Sequence, residues 1–111
     1  MSAQAMDALA IANRRRLESV AIRSQIAAMQ MAEAFHRVAA MLEEPCPATG
    51  ALRADRLIGA IPFVGARKII RLSQMAEDFS PSRRTARVRD LSRRERSALA
   101  AALRAYAMRT K

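Results

Sequence analysis

The chain has 111 residues, of which 20 are lysine or arginine and 10 are aspartate or glutamate, so its formal net charge is +10 with His36 neutral. A chain of this length forms one small domain, and such an excess of positive charge points to a polyanionic partner. A membrane span and a disulfide framework are excluded, because the longest uncharged stretch has 10 residues and Cys46 is the single cysteine.

Helix-forming residues dominate both ends of the chain. Alanine, the best helix former, supplies 25 residues, and every proline and glycine lies between Pro45 and Pro81. No alternating run of β-branched residues is long enough to predict a strand. We therefore predict an all-α fold, with a long N-terminal helix and a loop over residues 1–48 and a compact domain over residues 49–111. All of the excess positive charge lies in residues 51–111.

Nothing stops a helix between Asp7 and Glu44, so we predict one long helix there, with a frayed start and an end at Pro45. The residues after it, 46–51, are predicted to form a loop. Apolar residues recur at spacings of three, four and seven, as on one face of a helix. This stripe comprises Leu17, Val20, Ala27, Met31, Phe35, Val38 and Leu42, and it is broadened by Ile22, Ile26 and Met29. The stripe is the predicted buried face.

Proline and glycine divide the next segment into short elements. A short helix is predicted from about Ala54 to Ala60, stopped by Pro62, and a third helix from Ala66 to about Asp78. The predicted buried face of that third helix comprises Ile69, Leu72, Ala76 and Phe79.

Two later helix starts carry capping signals. Ser80 followed by Pro81 is typical of an N-cap with proline at the first helical position, which predicts a short helical turn. Ser92 and Glu95 form a capping box, with Leu91 available as a hydrophobic staple. The last helix is predicted to run to about Met108 and to bury Leu99, Ala102, Leu103 and Tyr106.

The turn before the third helix is the most informative segment. The residues from Phe63 to Gly65 make a predicted tight turn, and a glycine there lets another backbone approach closely. The helix that follows points free N–H groups and the positive end of its dipole outward, which suits a phosphate. Arg67, Lys68 and Arg71 would flank that phosphate. An ordinary connection whose glycine merely relaxes strain is the alternative that the spacing leaves open.

A second basic feature is a dense run of arginines. Seven of them fall within 14 residues: Arg83, Arg84, Arg87, Arg89, Arg93, Arg94 and Arg96. The planar guanidinium fork binds phosphate oxygens and positions a protein on a duplex without reading its sequence. The alternative is a solvated face with intrahelical ion pairs, which is disfavoured because only Asp90 and Glu95 oppose the seven.

No pattern indicates catalysis, a metal or a cofactor. His36 has no partner cluster for a metal site, and Cys46 is interpreted as an unreactive thiol of a loop or the core. The arginines at 14–16 are interpreted as a solvated helix end rather than an arm on a nucleic acid. Because tryptophan is absent and other aromatic residues are few, base stacking on a single strand is disfavoured. We predict no enzyme, no metal site and no cofactor.

Three segments together carry a resemblance: Leu57 to Lys68, Ser80 to Arg84 and Leu91 to Leu99. In order and spacing they resemble the actinobacterial (mycobacterial-type) integration host factors, over about residues 50–104. A small-subunit ribosomal protein shares a related helix–two-turns–helix element. The resemblance implies a long N-terminal helix followed by a compact helix–two-turns–helix domain. The N-terminal half resembles the family only in being a long, alanine-rich helix.

The resemblance implies a nucleoid-associated protein that binds double-stranded DNA with little sequence preference and bends or compacts it. It also implies an accessory role in site-specific integration, beside a recombinase. By the family pattern, the amides around Gly65 and the side chains of Arg67 and Lys68 meet one phosphate stretch. Arg83 and Arg84 meet a neighbouring one.

The sequence departs from the family at several positions. Phe63 and Ala66 replace positions that are often small or basic, which alters the phosphate pocket. The stretch 84–91 is a few residues longer than usual and lacks the usual glycine, which changes the loop that carries Arg87 and Arg89. A divergent, phage-encoded member fits these differences.

The sequence therefore predicts a sequence-tolerant architectural protein of duplex DNA. The predicted DNA-binding residues are Gly65, Ala66, Arg67, Lys68, Arg71, Ser82, Arg83, Arg84, Arg87, Arg89, Arg93 and Arg94. We expect a monomer in the cytoplasm, on the nucleoid, without a signal peptide and without a membrane partner. Two alternatives stay open: a protein that binds structured RNA, and a protein-interaction module that binds an acidic partner.

Overall fold

Helices make up most of the structure, a computed structural model that describes residues 2–109. The fold is all-α, as the sequence predicts, and within the described residues extended backbone pairs once, in a bridge between Arg53 and Arg87. The described helices are α1 (Ala3–Ala27), α2 (Met31–Glu43), α3 (Pro47–Gly50), α4 (Ala54–Gly59), α5 (Ala66–Met75) and α6 (Arg93–Arg109). Two 3-10 helices, Pro81–Thr85 and Val88–Asp90, connect α5 to α6. Among residues 2–109, no helix combines the length and the apolar character needed to cross a bilayer.

The long N-terminal helix is interrupted, so the prediction of one helix over residues 7–44 is wrong. The chain leaves the helix after α1 and re-enters it at α2, with Gln30 in extended backbone at φ −66° and ψ 149°. A straight helix over that range would be about 57 Å long and could lay only part of one face on a small core. The break lets Ile26 of α1 and Phe35 of α2 both become buried. No proline or glycine marks the break, so the sequence does not reveal it.

The predicted apolar stripe is confirmed on α2 and in part on α1. On α2, its members Phe35, Val38 and Leu42 are buried, and Met31 is half-buried. On α1, Leu17 and Val20 are 64% and 46% exposed, and Ala27 is exposed as well. Ile26, Ile22 and Met29 are the residues predicted to broaden the stripe, and of these Ile26 is buried while Ile22 and Met29 are half-buried. At 3.6 residues per turn, Leu17 lies about 180° and Val20 about 120° around α1 from Ile26, so one face cannot bury all three.

The centre of the core lies between α2 and α6, which pack against each other more extensively than any other two helices. The prediction for α6 is confirmed at Leu99, Ala102 and Leu103, which are buried. Tyr106 is half-buried, and its ring centroid lies 5.2 Å from that of Phe35. The predicted buried face of α5 and the residues after it is confirmed at Leu72, Ala76 and Phe79, while Ile69 is half-buried.

The last helix begins at the predicted capping box. The Ser92 N–H donates to Glu95 Oε1 at 2.9 Å, and the Glu95 N–H donates to Ser92 Oγ at 3.1 Å. Each side chain satisfies a backbone donor that lacks an intrahelical acceptor. Ser80 occupies the predicted N-cap position and Pro81 begins the helical turn, but the Ser80 hydroxyl bonds to Ser82 Oγ at 3.0 Å and caps no backbone N–H. The helical turn after Pro81 is confirmed as the first 3-10 helix.

Short elements differ most from the sequence prediction. The predicted loop at 46–51 contains α3, a four-residue helix that starts at Pro47. Helix α4 has its predicted span to within one residue. Helix α5 begins at Ala66 as predicted but ends at Met75, and Asp78 takes left-handed backbone at φ 57°. A helix of one turn has too few residues for a periodic pattern to show it.

Candidate nucleic-acid interface

The turn between α4 and α5 is anchored in the core and presents one aromatic ring to solvent. Ile61 and Val64 are buried, and the Val64 N–H donates to Ile61 O at 3.2 Å. Between them, Phe63 is 87% exposed. Phe63 takes the left-handed conformation at φ 66°, whereas Gly65 is extended at φ −93° and ψ −177°. The residue whose backbone makes the turn is therefore Phe63 and not the glycine.

Gly65 leaves the start of α5 open. A Cβ added at Gly65 would meet no atom within 4 Å, so packing among the described residues does not require a glycine there. Gly65 occupies the N-cap position and has no side chain to cap the first amides of the helix. Both Gly65 and Ala66 are exposed. The first amides of α5 and the positive end of its dipole therefore stay accessible to an anion.

Four of the predicted residues line one concavity at this helix start. Gly65, Arg67, Lys68 and Arg71 surround a space of about 310 Å³ together with Tyr106 of α6. We call these five residues the basic notch. Arg67 and Arg71 are exposed, and neither has a hydrogen bond or an ion pair with another residue of the described range 2–109. Their guanidinium groups are available to an anion.

Lys68 is held in place within the basic notch. Its Nζ donates to Phe63 O at 3.1 Å and lies 5.6 Å from the centroid of the Tyr106 ring. An ammonium has three N–H donors, so Lys68 can bind the turn and a phosphate at the same time. Tyr106 is the notch residue that sequence reasoning misses, because its helical spacing predicts only a core position. The signal in the sequence is the phenol itself, since a tyrosine combines an apolar ring with a hydroxyl group and so favours the edge of a core.

Arg83, a predicted phosphate contact, is bound within the protein. Its Nε donates to Glu95 Oε2 at 3.0 Å, and its Nη2 donates to Glu95 Oε1 at 3.3 Å and to Asp90 O at 3.0 Å. The hydrogen bonds from Arg83 and from the Ser92 N–H lower the pKa of Glu95 to about 2, and Glu95 raises the pKa of Arg83. We call Arg83 and Glu95 the clasp, because they tie the first 3-10 helix to the start of α6.

Backbone carbonyl groups bind three further arginines of the run. The pairs are Arg84 with Pro81 (2.8 Å), Arg87 with Ala51 (3.5 Å), and Arg96 with Leu42 (3.0 Å) and Glu43 (3.1 Å). Arg96 thereby caps the last carbonyl groups of α2. Arg94 pairs with Asp78 at 2.8 Å on the open surface. Carboxylates are too few for seven arginines, as the sequence indicates, and carbonyl oxygens bind part of the remainder.

Within residues 2–109, Arg89 and Arg93 are the members of the run without a hydrogen bond or an ion pair. Arg93 is the first residue of α6. Arg89 packs closely on Gly50, where an added Cβ would lie 3.3 Å from the Cβ of Arg89. Arg89 also lines a cavity of about 360 Å³ with Arg15 and Cys46, so one arginine of α1 lies near the run. The predicted contact at Ser82 remains exposed.

Cys46 is exposed and does not lie in the core. Its Sγ lies 3.2 Å from Thr49 Oγ1, and hydrogen bonds from the Thr49 side chain and backbone lower the pKa of the thiol. A thiolate therefore forms at lower pH than in an ordinary cysteine, and the interpretation of this thiol as unreactive stays a prediction. No three His, Cys, Asp or Glu side chains of residues 2–109 are grouped so that they could hold a metal ion.

No protein-family model, no curated protein and no solved structure matches this chain. The resemblance to the integration host factors therefore stays a prediction. The function proposed below rests on the basic notch and on the arginine run.

Proposed function

We propose that this protein binds double-stranded DNA through its phosphates, with little sequence preference, and bends or compacts it. The observation that carries the proposal is the basic notch. There, two guanidinium groups without a partner among residues 2–109, an anchored ammonium and an open helix N-terminus surround one concavity. Guanidinium forks, ammonium groups and backbone amides all donate hydrogen bonds to phosphate oxygens.

The arginine run supplies a second contact. Arg89 and Arg93 have no partner among the described residues, and Arg87 has further donors beyond its one bond to a carbonyl group. The clasp occupies the guanidinium of Arg83, so Arg83 positions this segment instead of neutralising a phosphate. The half-buried Arg84 has the same role, since it binds the carbonyl group of Pro81.

A duplex fits this surface better than a single strand does. The chain has three phenylalanines and one tyrosine. Phe35 and Phe79 are buried and Tyr106 is half-buried, so the described surface offers no row of rings on which successive bases could stack. Phosphate contacts position a protein without reading sequence, and the release of counterions supplies the affinity.

Fluorescence anisotropy tests the proposal, with two unrelated labelled duplexes of about 24 base pairs and one structured RNA over a series of salt concentrations. We expect similar affinity for the two duplexes, with steep salt dependence, and clearly weaker binding to the RNA. Strongest binding to the RNA would refute duplex DNA in favour of an RNA-binding protein. If the protein binds none of the three nucleic acids, the remaining alternative is a protein-interaction module.

Single substitutions localise the contact. Arg67→Ala and Arg71→Ala each remove one phosphate contact, so each should weaken binding equally on both duplexes and flatten the salt slope by about one. Arg37→Ala is the matched control, because Arg37 is an exposed arginine of α2 outside the basic notch and the run. A variant that weakens binding to one duplex only would contradict a mechanism based on phosphates. Association with the nucleoid and with a recombinase stays a prediction of the resemblance.

A further inference from the structure

Phe63 is the most exposed of the large apolar side chains in the described part of the chain. It is 87% exposed, whereas Met108 and Leu17 are 72% and 64% exposed. An exposed phenylalanine gains nothing from the hydrophobic effect in the free protein, since its ring stays in water. Single exposed apolar residues are common, so exposure alone does not indicate a function. What the Phe63 ring can do depends on where it lies and on how its backbone is anchored.

The turn anchors the backbone of Phe63 and leaves its ring outside the core. Ile61 and Val64 are buried on either side of it, and Val64 N–H donates to Ile61 O at 3.2 Å. Lys68 Nζ donates to the carbonyl oxygen of Phe63 at 3.1 Å. The left-handed backbone of Phe63, at φ 66°, is unfavourable for a residue with a Cβ and persists only where its surroundings enforce it.

The ring also stands beside the basic notch, because Lys68 belongs to the notch and binds the backbone of Phe63. A phosphate bound in the notch therefore brings a duplex next to the ring. Apolar side chains that project from a basic surface can enter the minor groove, unstack one base step and bend the helix. Cationic neighbours hold the flanking phosphates while this happens.

We propose that Phe63 is a wedge that inserts between two base pairs of DNA when the basic notch binds the neighbouring phosphates. This inference rests on the proposed function and adds to it the residue that produces the bend. Insertion buries the exposed ring against the bases, and the duplex bends at the base step that is unstacked. Pyrimidine–purine steps unstack most easily, so the wedge prefers a TA step even though the phosphate contacts read no sequence.

The test uses the full chain and a duplex of about 24 base pairs with one central TA step, 2-aminopurine in place of one of the two adenines of that step, and a donor and an acceptor dye at the two ends. Unstacking raises the fluorescence of 2-aminopurine, bending raises energy transfer, and anisotropy reports binding separately. Phe63→Asn removes the ring but keeps a residue that tolerates left-handed backbone, so its fold should persist. Phe63→Leu keeps an apolar wedge. Leu17→Ala is the control for loss of an exposed apolar side chain elsewhere.

We expect the natural chain to raise both signals on binding, and Leu17→Ala to match it. Phe63→Asn should still bind with an unchanged salt slope and with affinity lowered by about tenfold, but should raise neither signal. Phe63→Leu should retain part of both. If Phe63→Asn bends and unstacks the duplex as the natural chain does, the wedge is refuted while DNA binding stands. If the natural chain binds with no rise in 2-aminopurine fluorescence, the wedge is likewise refuted, whereas absence of any binding refutes the proposed function itself.

Discussion

Replacing Glu95 by glutamine tests whether the clasp holds the arginine run in place. Glu95 accepts two hydrogen bonds from the Arg83 guanidinium and one from the Ser92 N–H. Glutamine still offers an oxygen to Ser92, and it serves as well as glutamate in a capping box, so the substitution removes the charge and leaves the cap. The difference between the two chains therefore reports the ion pair.

The exposure of the two side chains sets the size of the effect. The Glu95 side chain is 20% exposed and that of Arg83 is 44% exposed, so solvent screens the pair in part. Exposed ion pairs contribute about 0.2–1 kcal/mol, and hydrogen bonds to charged groups contribute about 1.5–3 kcal/mol. We expect Glu95→Gln to lower the free energy of unfolding by about 1 kcal/mol at neutral pH.

The pH dependence has a definite sign. The clasp lowers the pKa of Glu95 in the folded chain to about 2 from an ordinary value of 4.5, so the unfolded chain takes up the proton first. The stabilising contribution is complete above the ordinary pKa and is lost as pH falls toward about 2. The difference in stability between the natural chain and Glu95→Gln should therefore shrink across that window.

Urea denaturation followed by far-UV circular dichroism measures this difference at neutral pH and at about pH 3. An Arg83→Met background supplies the control, since Glu95→Gln should cost much less when the guanidinium is already gone. The reasoning is refuted if the cost of Glu95→Gln is the same in both backgrounds, or if it does not fall with pH.

Three further predictions follow from the same structure. Phe35→Ala should lower the free energy of unfolding by about 3–5 kcal/mol because it removes a buried ring from the centre of the core, whereas Leu17→Ala should change it by less than about 0.5 kcal/mol. Equal effects of the two substitutions in urea denaturation would contradict the exposure of Leu17 on α1. Arg96→Ala should cost about 1 kcal/mol by uncapping α2, as measured in the same way, and a neutral result would show that water replaces the guanidinium. Thr49→Val should move the pH profile of Cys46 alkylation by iodoacetamide to higher pH, because it removes the hydroxyl that lowers the thiol pKa. An unchanged profile would show that the Thr49 hydroxyl does not lower the pKa of the thiol.

Features that depend on nearby residues could be predicted from the sequence. The capping box at Ser92 and Glu95 is one, since four consecutive residues suffice to form it. The start of α5 after Gly65 is another, and it brings Arg67, Lys68 and Arg71 to one end of a helix whatever the rest of the chain does. Most of the basic notch was therefore predictable.

Features that depend on distant partners could not be predicted. The break at Gln30 carries no local signal, because it is set by how α1 and α2 reach one core. The carboxylate that accepts from Arg83 is 12 residues away in the chain, and the carbonyl groups that accept from Arg96 are more than 50 residues away. The spacing of residues in the sequence does not predict such contacts. The sequence therefore could not distinguish the arginines of the run that are bound within the protein from those that are not.

The sequence by itself determined that this chain is helical, that its positive charge lies in its second half, and where its last helix begins, because helix propensity, charge and caps are properties of neighbouring residues. Only the tertiary structure decided which arginines are bound within the protein and which remain open to an anion. That division depends on carbonyl and carboxylate oxygens that folding brings within hydrogen-bond distance. The exposure of the Phe63 ring is likewise decided by the tertiary structure, because Ile61 and Val64 anchor the turn in the core and Lys68 binds the Phe63 carbonyl group.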